Sequence, residues 1–328
     1  MAGAKGKAGL IAAGGVVVAG AAATVAARRE GSSVAGWIVA NIVVPTLYGR
    51  SPGIDGFLER IDMNRAIGPA LPSSRIRARY AFADEEVAGI RSFRLAPRTE
   101  APARTRILYV HGGSYVVDFI PPQWAIATGL VDRIGAPLTA PLYPLAPESD
   151  VAAGLAAVEA VYDALAAEAG PENIVIAGDS AGGGLALALV QHLRDRGGAQ
   201  PAALLLIFPW LDATLTDPAQ PGIEKHDPIL YIDQLRVAGR MWAGDRDPAD
   251  PLPSPLNGDL TGLPPSLVLH GSRDILQPDS RRFAERCANA ELHEYPGMFH
   301  GFICAPIPEA RAAFDRIQEF VARHVPAA

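Results

Sequence analysis

The pentapeptide Gly178-Asp179-Ser180-Ala181-Gly182 lies between a β-branched run, Asn173 to Ala177, and an amphipathic stretch from Ala181 to about Arg196. A serine on such a strand–turn–helix corner has its hydroxyl presented as a nucleophile. The tight turn forces the serine into an unfavourable backbone region, so its neighbours must be small, and Gly178, Gly182, Gly183 and Gly184 meet that need. A hydroxyl is a weak nucleophile near neutral pH. It needs a base within hydrogen-bond reach and a third group that fixes the tautomer of that base.

On a corner of this kind the chain order is serine, acid, histidine, which leaves His192, His226, His270, His293, His300 and His324 as bases. His192 falls inside the helix that leaves the corner, His324 in the terminal helix and His226 in an irregular insertion. His293 alternates within a strand, Glu291 to Tyr295, and His270 precedes every acceptable acid. His300 is the expected base: it follows the last strand in Gly297-Met298-Phe299-His300-Gly301-Phe302, where glycines let a side chain reach back over a sheet edge. Asp274, just past the strand that ends at His270, is the expected acid. Its rival Asp279 is placed to open the helix that begins near Pro278, where a carboxylate stabilises free N–H groups. Charge that develops on a substrate oxygen calls for N–H donors, and His111-Gly112-Gly113-Ser114 offers them. The expected oxyanion hole is Gly112, Gly113 and Ala181, with His111 structural.

The surrounding pattern supplies a frame for these residues. Strand-like runs at Arg77 to Ala83, Ile90 to Leu95, Arg106 to Val110, Pro137 to Leu142, Asn173 to Ala177, Ala203 to Phe208, Ser266 to His270 and Glu291 to Tyr295 come to alternate with helical stretches. Those stretches are Pro122 to Ile134, Val151 to Ala169, Ala181 to Arg196, Pro278 to Ala288 and Pro308 to His324. Alternation of that kind implies an α/β fold with a parallel sheet. Two regions break it. Gly36 to Pro72 reads as short helices packed over something else. About fifty residues after Phe208, with one amphipathic piece at Ile232 to Trp242, read as a helical insertion over the carboxyl ends of the strands. A cap from about residues 31–75 and 212–250 on an α/β domain of residues 31–328 is the expected organisation.

From His111 to Phe302 the chain resembles the hormone-sensitive lipase-like esterases of the α/β-hydrolase superfamily, bacterial family IV. The resemblance is carried by His-Gly-Gly-Ser for the family's His-Gly-Gly-Gly, and by Tyr143-Pro144-Leu145-Ala146-Pro147-Glu148 for its Tyr-Arg-Leu-Ala-Pro-Glu. Gly178-Asp179-Ser180-Ala181-Gly182-Gly183, the stretch around Ser254-Pro255, Asp274 and His300-Gly301-Phe302 complete it. It implies a mostly parallel eight-stranded sheet with helices on both faces and a helical cap, no metal or other cofactor, and hydrolysis of short- to medium-chain carboxylic esters through an acyl-enzyme on Ser180. Ser114 and Pro144 depart from the family pattern. With the hole formed by the first two glycines, a serine beyond them leaves the donors in place and bears on the acyl pocket instead. Lactone or amide hydrolysis by the same triad stays open, as does a non-catalytic small-molecule-binding protein.

Composition narrows the partners. With 29 Lys plus Arg against 35 Asp plus Glu in 328 residues, and no long basic run, the chain lacks the surface that tracks phosphates, so no nucleic-acid partner is expected. Two cysteines, Cys287 and Cys304, cannot form a zinc site alone and read as packing thiols, with one disulfide as the alternative. Asp245, Asp247 and Asp250 lack the glycine and distal glutamate of a calcium loop. Residues 1–30 follow targeting grammar: Lys5 and Lys7, an uncharged Ala/Gly/Val stretch from Ala8 to Ala27, then Arg28 and Arg29. As a helix the stretch reaches about 30 Å, so a cleaved signal, a span and a membrane contact through residues 8–27 are all open, against a cytoplasmic alternative. The expectation is export or membrane anchoring. Oligomeric state is not legible.

Overall fold

The computed structural model describes residues 22–49, 51, 53–98 and 104–325. Its strands are Tyr80–Val87 (β1), Ile90–Pro97 (β2), Arg106–Val110 (β3), Leu138–Pro141 (β4), Ile174–Asp179 (β5), Ala203–Ile207 (β6), Ser266–Gly271 (β7) and Ala290–Tyr295 (β8). They form one eight-stranded sheet in the order β1-β2-β4-β3-β5-β6-β7-β8. The pairs β1·β2 and β2·β4 are antiparallel and every other pair is parallel. The main helices are Gly53–Ile67 (α1), Gln123–Ile134 (α2), Val151–Ala169 (α3), Ala181–Asp195 (α4), Ile232–Ala243 (α5), Gln277–Arg286 (α6) and Pro308–His324 (α7).

The central strands are buried on both faces because helices cover both, and their side chains divide by period two into separate cores. Leu108, Val110, Ile174, Ile176, Leu204, Leu206 and Val268 pack on one side with residues of α3, α4 and α6. Ile107, Tyr109, Val175, Ala177, Leu205, Leu267 and Leu269 pack on the other with residues of α2 and α7. This is why those strands read as continuous apolar runs, and why α4, with twelve buried residues, shows little polar face. The α/β reading and the eight strands hold.

One boundary moves. The run Arg77 to Ala83 is not strand from its start: Ser73 Oγ accepts the Ile76 N–H at 3.4 Å and caps a short helix, Ser74–Arg79, so β1 begins at Tyr80. It then continues to Val87 through exposed charged residues, held across the hairpin by Arg91–Asp84 and Arg94–Glu85 pairs. An edge strand with a solvated face carries little hydrophobic signal, which hides its far end.

The amino-terminal pieces are tied down at both ends of the fold. The Ser33 N–H and hydroxyl donate to the Glu309 carboxylate at 2.6 and 2.9 Å, joining the start of helix Val34–Ile38 to the first turn of α7. Arg60 of α1 donates to Gln234 of α5 at 3.2 Å, and Gln234 donates to Ser51 at 2.8 Å, so the two regions expected to form a cap touch each other. Of the stretch Ala8 to Ala27, residues 8–21 lie outside the described residues; residues 22–30 are helical. Among the described residues no helix is long and apolar enough to cross a membrane. Cys287 and Cys304 are free thiols.

Candidate active site

Strand β5 ends at Asp179, α4 begins at Ala181, and Ser180 between them takes φ 54° and ψ −123°. A non-glycine residue held there stores about 1–3 kcal/mol, which the surroundings must offset. They do so by anchoring the serine backbone: its N–H donates to Ile207 O at 3.0 Å, and its carbonyl accepts the Trp210 N–H at 2.8 Å. The turn admits no side chain at its flanks. A Cβ on Gly178 would lie 2.3 Å from Gly182 O, and one on Gly182 would lie 2.0 Å from Val110 O.

Two loops at the carboxyl ends of β7 and β8 bring the other groups in. His300 Nε2 lies 3.0 Å from Ser180 Oγ, and His300 Nδ1 lies 2.8 Å from Asp274 Oδ2. The second Asp274 oxygen accepts the Leu276 N–H at 2.8 Å, so the carboxylate is held at both ends. All three residues are buried, Ser180 being 8% exposed, His300 7% and Asp274 0%. The Phe208 ring meets the imidazole edge-on with centroids 4.8 Å apart, fixing its plane. Burial is the largest influence on His300 and lowers its affinity for a proton. The Asp274 charge and hydrogen bond, followed by Asp227 and Asp179, outweigh it and leave the imidazole above its ordinary range.

The rejected histidines lie elsewhere. His192 Nε2 sits 3.0 Å from Glu159, His324 packs on Phe320, and His270 is buried at the end of β7 with Nδ1 3.2 Å from Gly271 O. His293 is paired with Leu269 along β8, and His226 gives its carbonyl to Arg273. Asp279 lies in the first turn of α6, as expected, but it is fully buried; among the described residues its carboxylate oxygens have no hydrogen-bond partner, and Arg282 Nη1 lies 3.8 Å from Oδ1.

The oxyanion expectation needs a correction. The Gly112 N–H donates to Asp179 Oδ1 at 2.8 Å, so this group is committed to a buried carboxylate and is not free for a substrate. The N–H groups of Gly113, Ser114 and Ala181 find no acceptor among the described residues. Gly113 and Ser114 are partly exposed where Gly112 is buried. Their loop faces the nucleophile: a Cβ on Gly112 would lie 3.0 Å from Ser180 Cβ. The free donors of this loop are thus Gly113 and Ser114, one residue on from the expected pair.

Asp179 is the residue that sets this register, and the sequence reading passed over it. It accepts from Tyr109 Oη at 2.6 Å, Gly112 N at 2.8 Å and Gln123 Nε2 at 3.3 Å, joining the serine corner to the glycine loop. A carboxylate closing an otherwise apolar buried strand was its signal. Behind the loop, Tyr143 Oη donates to His111 O at 2.8 Å and its ring stacks on the His111 ring at 4.6 Å, packing His111 into the fold. Arg65 of α1 donates to the carbonyls of Val116 and Ala146, so the amino-terminal piece grips the same loop. Ser254 accepts the Ala213 N–H at 2.7 Å and donates to Pro248 O at 2.6 Å, closing the insertion on itself.

The chain matches the α/β-hydrolase fold family over residues 107–304. It is 37% identical over 242 residues to an esterase of Acinetobacter venetianus, an alignment covering 71% of this chain and 79% of that protein. It is 35% identical over 216 residues to an acetyl-hydrolase of Streptomyces hygroscopicus, covering 64% and 72%. Among solved structures, an esterase from the bacterial hormone-sensitive lipase family superimposes with a TM-score of 0.73 at 28% identity, covering 85% of this chain and 100% of that one.

Proposed function

Since this chain belongs to the α/β-hydrolase family, in its hormone-sensitive lipase-like branch, and is a carboxylic ester hydrolase, we propose that it works through an acyl-enzyme on Ser180. The observation that carries this reading is the unbroken relay from Ser180 Oγ through His300 to Asp274 at 3.0 and 2.8 Å, with the serine on a strained corner. Oγ attacks the ester carbonyl carbon as His300 Nε2 takes the hydroxyl proton. Asp274 keeps the other ring proton on Nδ1 and stabilises the imidazolium. The carbonyl oxygen, now negative, meets the N–H groups of Gly113, Ser114 and Ala181; each such donor is worth about 3 kcal/mol in the transition state. Collapse expels the alcohol with the proton from His300, and water repeats the sequence on the acyl group to release the acid.

Incubation with an organophosphonate followed by peptide mass spectrometry tests the mechanism. One phosphonyl group on Ser180 and loss of esterase activity in proportion is the expected result. An active enzyme with Ser180 unmodified would sink it.

The acyl group accepted is short to medium. The acetyl-hydrolase among the relatives supports this, and a p-nitrophenyl ester series is expected to show kcat/KM falling as the acyl chain lengthens. Residues 31–75 and 212–250 form the cap of this proposal, supported by the Arg60–Gln234 and Gln234–Ser51 bonds that join them. An export or anchoring role for residues 1–30 rests on their sequence alone.

A further inference from the structure

We propose that Asp227 is a positioning residue for the triad, the point at which the cap holds the Asp274 loop in register and places a second carboxylate behind His300. The inference rests on the reading of Ser180, His300 and Asp274 as the triad. Asp227 lies in the insertion, between helix Gln220–Glu224 and α5, and is only 6% exposed. One of its oxygens closes its own turn, accepting the N–H groups of Ile229 and Leu230 at 2.9 and 3.1 Å. The other leaves the cap and accepts the Ile275 N–H at 3.0 Å.

Ile275 follows the triad acid, and the next N–H, that of Leu276, is taken by Asp274 itself. Two carboxylates therefore hold consecutive N–H groups of one loop, one from the sheet and one from the cap. The residue on the other side of Asp274 is bound to the cap as well: Arg273 donates Nε to His226 O at 3.0 Å and Nη1 to Asn41 Oδ1 at 3.0 Å. Asp274 is thus flanked by two attachments to the adjacent residues His226 and Asp227, with a third reaching the amino-terminal helices. A splint of this kind fixes where the acid stands, and a displacement of about 1 Å at a reacting centre can cost on the order of 100-fold in rate.

The arrangement also has an electrostatic side. The ionisable groups that act on Asp227 are Asp274 and His300, from the loops after β7 and β8. Its own segment adds His226, through the carbonyl held by Arg273, and Glu224, whose carboxylate accepts the Ile232 N–H at 2.7 Å. Burial, then the Asp274 charge, push the Asp227 carboxyl up to about 7, against the opposing pull of His300 and of its two cap N–H groups. Burial lowers the proton affinity of His300, and Asp227 acts with Asp274 in raising it.

Asp227→Asn keeps an oxygen for Ile229 and Leu230, turns an amide toward the Ile275 N–H, and removes the charge. For a p-nitrophenyl ester the variant is expected to lose about 10-fold or more in kcat with KM nearly unchanged. The acid limb of kcat/KM is expected to move to lower pH, because His300 loses one of the charges that raise it. A structural defect alone would lower activity without moving the limb, so an unmoved limb overturns the proposal. Should the variant not fold, the wild-type protein carries the test: the His300 Nδ1 proton resonance, followed by NMR across pH, is expected to show two inflections, its own and that of Asp227. A single inflection overturns the proposal. Organophosphonate labelling of wild-type Ser180 separates the two readings. Labelling with an unmoved limb or a single inflection removes Asp227 alone, whereas no labelling removes the triad and this inference with it.

Discussion

Replacing Ser180 by alanine is expected to lower kcat/KM for a soluble p-nitrophenyl ester by roughly 10⁶-fold, His300→Ala to do nearly the same, and the double variant to lose almost nothing more. The reason lies in the relay. Without Oγ the imidazole has no proton to receive, and without the imidazole Oγ stays a neutral hydroxyl with a poor lone pair. The two groups do one piece of chemistry, so their losses do not add. What survives is on the order of 10³-fold over water, from substrate binding and the free N–H groups of Gly113, Ser114 and Ala181. Each variant should fold, since the Ser180 backbone bonds to Ile207 and Trp210 do not depend on the deleted atoms and Phe208 keeps its ring contact with Phe302. Steady-state kinetics on protein with a wild-type circular dichroism spectrum reads the result. Losses that multiply in the double variant would mean that Ser180 and His300 act in separate steps, and the acyl-enzyme reading would fall.

Asp274→Asn is expected to cost on the order of 10⁴-fold in kcat, with KM little changed, and to move the remaining activity's acid limb to lower pH. The backbone dictates the first effect. The Leu276 N–H needs an oxygen, so the new side chain turns its carbonyl there and points its NH₂ at His300 Nδ1. Nδ1 must then accept, the ring proton shifts to Nε2, and Nε2 can no longer take the Ser180 proton. The second effect follows from charge. His300 serves as base only when neutral, so activity rises with pH as it loses its proton. Burial lowers that transition; the Asp274 charge and hydrogen bond, with Asp227 and Asp179 behind them, carry it above the ordinary imidazole range. Removing the largest of those charges returns the limb toward acid. A variant that keeps more than about a tenth of wild-type kcat would show that another carboxylate orients His300, and Asp227, whose charge also acts on His300, would be the first to re-examine.

Much of this site was legible before any coordinate. The order Ser180, Asp274, His300 could be read because each sits where a strand ends and a glycine or loop begins, and those transitions are written in local composition. Asp227 left no such mark. Its meaning comes from lying against Ile275, 48 residues away in the chain, and nothing near Pro228 announces that contact. The oxyanion loop fell between these cases. His111 to Ser114 was recognisable as a donor loop, but which N–H groups are free depends on Asp179, 67 residues on, taking the one on Gly112.

By itself, then, the sequence determined the alternation of strands and helices, the strained corner at Ser180 and the histidine and aspartate proposed as its base and acid. These follow from side-chain size, hydrophobic period and backbone freedom, all properties of neighbours in the chain. Tertiary structure alone decided that the Gly112 N–H is taken while those of Gly113 and Ser114 stay free, that β1 starts only at Tyr80, and that the insertion bonds to the residues either side of Asp274. Those are questions of which buried donor meets which acceptor, and such pairing is set only when distant segments close on one another and each buried polar group must find a partner.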